Sequence, residues 1–172
     1  EWTNKAAITD GDKLPPIARA AWIVLMEIKL GTACGIPQDA IAQWQNVYLA
    51  KLNQARLVDL EAQTSTDAVA SEVLAGIRPY FALDQKNLPL AMASFATRIS
   101  AVSESAFREI LAAHEWAGKD EIEDGDDLPP TARAAWIALV QQKLCVACGL
   151  GTEAAASFES IWRAKVKEAR VT

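Results

Sequence analysis

Apolar residues crowd nearly every side of one stretch of this chain and only one side of the next. Residues 17–33 carry Ala20, Ala21, Trp22, Val24, Leu25 and Ile28 almost without a polar face, the pattern of a helix surrounded by other helices. Beyond Gly35 and Pro37, which end one helix and start another, Ile41, Trp44, Tyr48, Leu52 and Ala55 recur at alternating three- and four-residue steps, a one-sided stripe. A helix start that Ser65 or Thr66 can cap precedes Val69, Val73, Ile77 and Tyr80, and Asn87-Leu88-Pro89 opens a long helix carrying Phe95, Ile99, Val102, Phe107 and Leu111. A final stripe of Phe158, Ile161, Trp162, Val166 and Ala169 begins at Thr152, with Glu153 in its first turn. Residues 2–9 and 116–123 lack helical periodicity and read as a small extended pair or an ordered arm. The expectation is an all-α bundle of about six helices.

The chain repeats itself. Asp10-Gly11-Asp12-Lys13-Leu14-Pro15-Pro16-Ile17-Ala18-Arg19-Ala20-Ala21-Trp22-Ile23 returns as Asp124-Gly125-Asp126-Asp127-Leu128-Pro129-Pro130-Thr131-Ala132-Arg133-Ala134-Ala135-Trp136-Ile137. The register extends from Glu1-Trp2 on Glu115-Trp116 to Ala55-Arg56 on Ala169-Arg170, so that residues 1–58 are duplicated at 115–172, with nearly half of the positions identical. In both copies an Asp (Asp12, Asp126) stands ahead of Leu-Pro-Pro (Leu14, Pro15, Pro16; Leu128, Pro129, Pro130), the signal of a capped helix whose first turn tolerates proline because no N–H is needed there. Arg19 and Trp22, with Arg133 and Trp136, follow at fixed spacing. Three segments result: a first repeat at 1–62, a central helix pair at 63–114, and a second repeat at 115–172 packing with that pair. The order reads as half a module followed by a whole one. A segment ahead of Glu1 would complete the symmetry; alternatively the two copies flank one shared central pair.

Composition narrows the function. A net charge of -5 over 172 residues and a pI near 4.9 oppose direct grip on nucleic acid, which needs clustered cations. No apolar run approaches the roughly 20 residues of a membrane span. Three cysteines, Cys34, Cys145 and Cys148, lack disulfide-framework spacing and read as reduced, small buried hydrophobes. The single histidine, His114, lies without Cys or carboxylate at metal-ligand spacing, and a calcium loop begun at Asp124 would need Glu where Ala135 stands. Neither a phosphate-cradling glycine loop nor a Ser-His-Asp set is present in the sequence. No cofactor and no enzymatic activity are expected. Trp22 and Trp136 read as core. Trp2, Trp44, Trp116 and Trp162 read either as core or as candidate subunit-interface anchors, a common use of tryptophan. Arg163, Lys165, Lys167 and Arg170 concentrate cations at the C-terminal end, either complementing the helix dipole or facing an acidic partner.

The string from Ala106-Phe107-Arg108 through His114-Glu115-Trp116, followed by Leu128-Pro129-Pro130, Arg133-Ala134-Ala135-Trp136, Leu139 and Leu144-Cys145-Val146-Ala147, resembles the head-to-tail adaptor proteins of tailed bacteriophages, also called head-completion, tail-accessory or packaged-DNA-stabilisation proteins. The similarity covers residues 66–172, and the first copy matches only the latter half of the pattern. It implies a virion neck protein, assembled in the host cytoplasm, that forms a homo-oligomeric ring, commonly of twelve, beneath the portal after DNA packaging. Its partners would be the portal and tail proteins, with at most indirect contact with DNA and none with membrane. The C-terminal cations would then face the portal. Two features depart from the family pattern: the partial duplication and a C-terminal extension that reads as short or absent. The alternative is a helical-repeat interaction module or regulator outside any virion.

Overall fold

Proline sets where two of the helices begin. Pro15 and Pro129 adopt the same extended geometry (φ -51°, ψ 145°), each immediately ahead of an 18-residue helix, α1 (Pro16–Ala33) and, later in the chain, α5 (Pro130–Ala147). Between and after them run α2 (Gln38–Thr64), α3 (Ala68–Leu83), α4 (Leu88–Ala112) and α6 (Thr152–Ala169). The computed structural model describes residues 5–83, 87–116 and 118–171. Among these the chain is all-helical, with six α-helices, three short 3-10 turns and no strand.

Several local expectations are corrected. Asp12 and Asp126 do not cap the helices that follow, because the two prolines have already removed the N–H groups nearest to them. Asp10 instead closes a 3-10 turn, Gly11–Lys13, by accepting from the amides of Asp12 and Lys13 at 3.0 and 3.2 Å. The third helix is capped by Asp67, whose carboxylate accepts from the Ala70 amide at 2.9 Å, in place of Ser65 or Thr66. The stretches read as an extended pair are turns at Lys5–Ala7 and Lys119–Glu121; they contain no run of alternating apolar residues long enough to hold a ladder. Trp2 lies outside the described residues.

The chain forms two compact units, Glu1–Thr64 and Ser65–Thr172. The first is an α1–α2 hairpin closed by Gly35, whose left-handed φ of 76° costs a glycine little. Its amide and that of Ile36 bond back to Thr32 and Gly31. Val24, Ile28 and Ile41 form its core, with Trp44 and Tyr48 packed against them. The second unit wraps α3, α4 and α6 around α5. Ten of the eighteen residues of α5 are buried, including the unbroken run from Ala135 to Gln141, so this helix does have neighbours on all sides. Phe81 and Phe95 meet edge to face at 6.2 Å, and Tyr80 meets Phe158 at 5.9 Å. Both phenylalanines of the first pair are fully buried, each stabilising the unit by about 2–3 kcal/mol.

Candidate partner-binding surfaces

The repeated motif folds locally in the same way at both ends of the chain. Gly11 lies against the Trp22 ring, and Gly125 against the Trp136 ring; a methyl group on either glycine would fall about 2.5 or 2.3 Å from ring carbons. Asp124 accepts from the Asp126 amide at 2.8 Å, as Asp10 does from Asp12. Asp127 accepts from the amides of Glu123 and Asp124, tying the acidic connector to itself. The acidic string is therefore spent on turn geometry.

The second copy goes further. Arg133 donates from Nε to Asp126 at 2.8 Å and from the guanidinium terminus to Glu72 of α3 at 2.9 Å. Asp126, foremost, and Glu72 hold its pKa above the ordinary value against the opposing effect of burial. Trp136 donates from Nε1 to the Ser103 carbonyl of α4 at 2.9 Å. Lys143 pairs with Glu109 of α4 at 2.9 Å. Gln141, buried, donates to the Val73 carbonyl and lies over Gly76, where no side chain obstructs it. Leu128 is buried and Leu14 half-buried.

The first copy keeps the arginine, tryptophan and lysine, with Glu27 in place of Gln141, and lacks those partners. Arg19 reaches the Asp12 carbonyl, yet its Nε is buried with no hydrogen bond. Lys29 is exposed and Trp22 half-buried; among the described residues neither has a polar partner. The largest difference is apolar. Ile23, Met26 and Leu30 are 47%, 42% and 60% exposed, whereas the residues at the same repeat positions, Ile137, Val140 and Leu144, are 6%, 0% and 0% exposed. The expectation that α1 is surrounded is thus wrong on this face. The matching apolar positions obscured it, and the signal that exposes it is arithmetic: one central helix pair stands beside two copies of its receptor.

The four C-terminal cations are not equivalent. Arg163 pairs with Glu159 at 2.7 Å and stacks over the Trp162 ring at 5.1 Å. Lys165 pairs with Glu168 at 2.9 Å, and Arg170 donates to the Ala113 carbonyl at the end of α4. Lys167 is exposed and has no ion-pair partner among the described residues. Trp162, Arg163, Lys167 and Arg170 border a groove of about 770 Å³ beside Glu109 and Ala113.

The tryptophans divide. Trp116 is buried, its Nε1 donating to the Ile110 carbonyl at 2.9 Å and its ring edge-on to His114; it locks the end of α4 and is not an exposed anchor. Trp44 is half-buried in the core of the first unit, its ring close over Gly31. Trp162, half-buried, donates to Gln142 at 2.7 Å. Cys145 and Cys148 are buried, and burial pushes their thiols up to about 12 and about 11. Cys34 is exposed, contrary to expectation, because it follows the last turn of α1 at the hairpin tip. Among the described residues no helix is long and apolar enough to cross a membrane. Compared with family models, curated proteins and solved structures, the chain matches none.

Proposed function

We propose that this chain is a structural virion protein, the head-to-tail adaptor that joins the portal to the tail after DNA packaging, and that it acts by binding and not by catalysis. One observation carries the reading. The Leu-Pro-Pro and Arg-Ala-Ala-Trp string on which the resemblance rests is the same string that organises the second unit: Arg133 joins α5 to Asp126 and Glu72, and Trp136 joins it to α4. A resemblance resting on residues that determine packing supports a shared helical subunit better than one resting on surface alanines. In this reading the subunits form a ring, and the C-terminal end of α6, with Lys165 and the groove-edge cations Arg163, Lys167 and Arg170, faces the portal. Paired charges at such a contact chiefly speed association and set orientation.

The test is reconstitution. Mixing the chain with the portal ring of its own virus should produce a stacked ring visible by electron microscopy. Reversing Lys165, Lys167 and Arg170 to Glu should weaken attachment and flatten its salt dependence. A chain that stays monomeric or dimeric and ignores the portal would instead be a helical interaction module outside the virion.

A further inference from the structure

We propose that the exposed face of α1, the stripe Arg19–Ile23–Met26–Leu30, is the receptor for a second helix pair of the α3–α4 kind, supplied from outside these 172 residues. The idea does not rest on the adaptor reading, since a regulator built from the same repeat would carry the same face.

The repeat itself shows what such a face takes. On α5, residues 114 positions later than those of the α1 stripe are covered by α3 and α4, and the cover has a definite chemistry. Apolar contact buries Ile137, Val140 and Leu144. One carboxylate, Glu72 on α3, meets Arg133, and a second, Glu109 on α4, meets Lys143. A backbone carbonyl on α4 accepts from Trp136. On α1 the receiving groups other than that of Gln141 are present and unmet: Ile23, Met26 and Leu30 are exposed, Arg19 Nε is buried without a partner, and Lys29 and Trp22 lack polar partners among the described residues. An apolar stripe flanked by two cations calls for an apolar helix pair flanked by two carboxylates. The two faces match in charge as well as in apolar character.

The surface with which the α3–α4 pair of this chain meets such a face is already taken by α5. A second copy has the same shortage, with one pair for two receptors. One substitution distinguishes the missing occupant from α3 itself. Glu27 stands where Gln141 donates to the Val73 carbonyl, so the occupant must offer a donor at that point where α3 offers an acceptor.

The experiment adds a further copy of residues 65–114 directly ahead of Glu1, which preserves the spacing by which residue 114 precedes Glu115. In natural and extended chains, Cys34→Ser removes the exposed thiol and Leu30→Cys reports on the face by its rate of maleimide labelling. Cys145 and Cys148, buried, report on folding. The expected result is labelling at position 30 slowed by at least about tenfold in the extended chain. Glu72→Lys and Glu109→Lys in the added copy should restore the rate, and Glu27→Gln should slow it further by replacing an acceptor with a donor. Equal rates in the two chains would overturn the proposal. So would slow labelling of the natural chain, whether it grows with concentration, which would make a second copy the occupant, or holds at every dilution, which would place the cover within the chain. An extended chain whose Cys145 and Cys148 become reactive would also count against it, since a face shaped for this pair should accept it without unfolding.

Discussion

Arg133 shows how much one residue's role depends on what is brought to it. The same arginine occurs at position 19, spaced identically from Trp and from Leu-Pro-Pro, and only the later one ties two helices together. Its side chain is 28% exposed and that of Glu72 49%, so solvent screens the pair and a double-mutant cycle of Arg133→Met with Glu72→Gln should give a coupling of about 0.5–1 kcal/mol. A coupling of zero by denaturant titration would reduce the pair to a surface coincidence. The cysteines make a second test. Burial raises both thiols above their ordinary 9.0, so the folded chain holds the protons that the unfolded chain releases. That contribution is fully present below pH 9 and is lost as pH rises toward about 12. Stability measured from pH 8 to 11 should fall, and Cys145→Ala with Cys148→Ala should fall less steeply, even though the lost packing lowers its starting point. At pH 8 in native buffer only Cys34 should react with iodoacetamide.

At the scale of elements, most of the six helices were legible because each announces itself by a period and a boundary: Leu-Pro-Pro before α1 and α5, Asn87-Leu88-Pro89 before α4, and glycines at positive φ after α1 and α5. The caps were less legible. Asp67 caps α3 where Ser65 or Thr66 was expected, and Asp10 closes a 3-10 turn where Asp12 was expected to cap α1, since capping depends on which backbone amides the turn leaves open, and a shift of one or two residues changes that. The glycine before each motif had a role that composition alone does not reveal. At Gly125 an added methyl would meet the Trp136 ring at 2.3 Å, and that ring is held by its bond to Ser103. Gly125→Ala should therefore lower the stability of the second unit by about 1–3 kcal/mol, readable as a shift in thermal midpoint; an unchanged midpoint would mean the loop yields freely.

The two units differ in how well each is held. Among the described residues the first gathers a core around Val24, Ile28 and Ile41 with Trp44 and Tyr48 and leaves Ile23, Met26 and Leu30 of α1 exposed, whereas the second buries α5 along most of its length. Local opening is easiest where few apolar contacts must be broken. Hydrogen exchange should therefore run faster in α1 and α2 than in α5, and uniform protection across the six helices would contradict this. The same imbalance underlies the docking proposal, for the weaker unit is the one whose repeat positions lack their cover.

The sequence by itself determined the helical class, the extent of α1, the starts of α4 and α5, and the repeat, because period, proline and glycine act locally and need no neighbours to be read. It also marked Trp22 and Trp136 as core, and Arg19 and Arg133 as recurring without saying for what. Only the tertiary structure decided that Arg133 bridges to Glu72, that Trp116 is core, that Cys34 is exposed, and that Ile23, Met26 and Leu30 lie open while Ile137, Val140 and Leu144 do not. Burial depends on which other helix arrives, and two copies of one sequence can differ completely in that when a single helix pair is present to cover them.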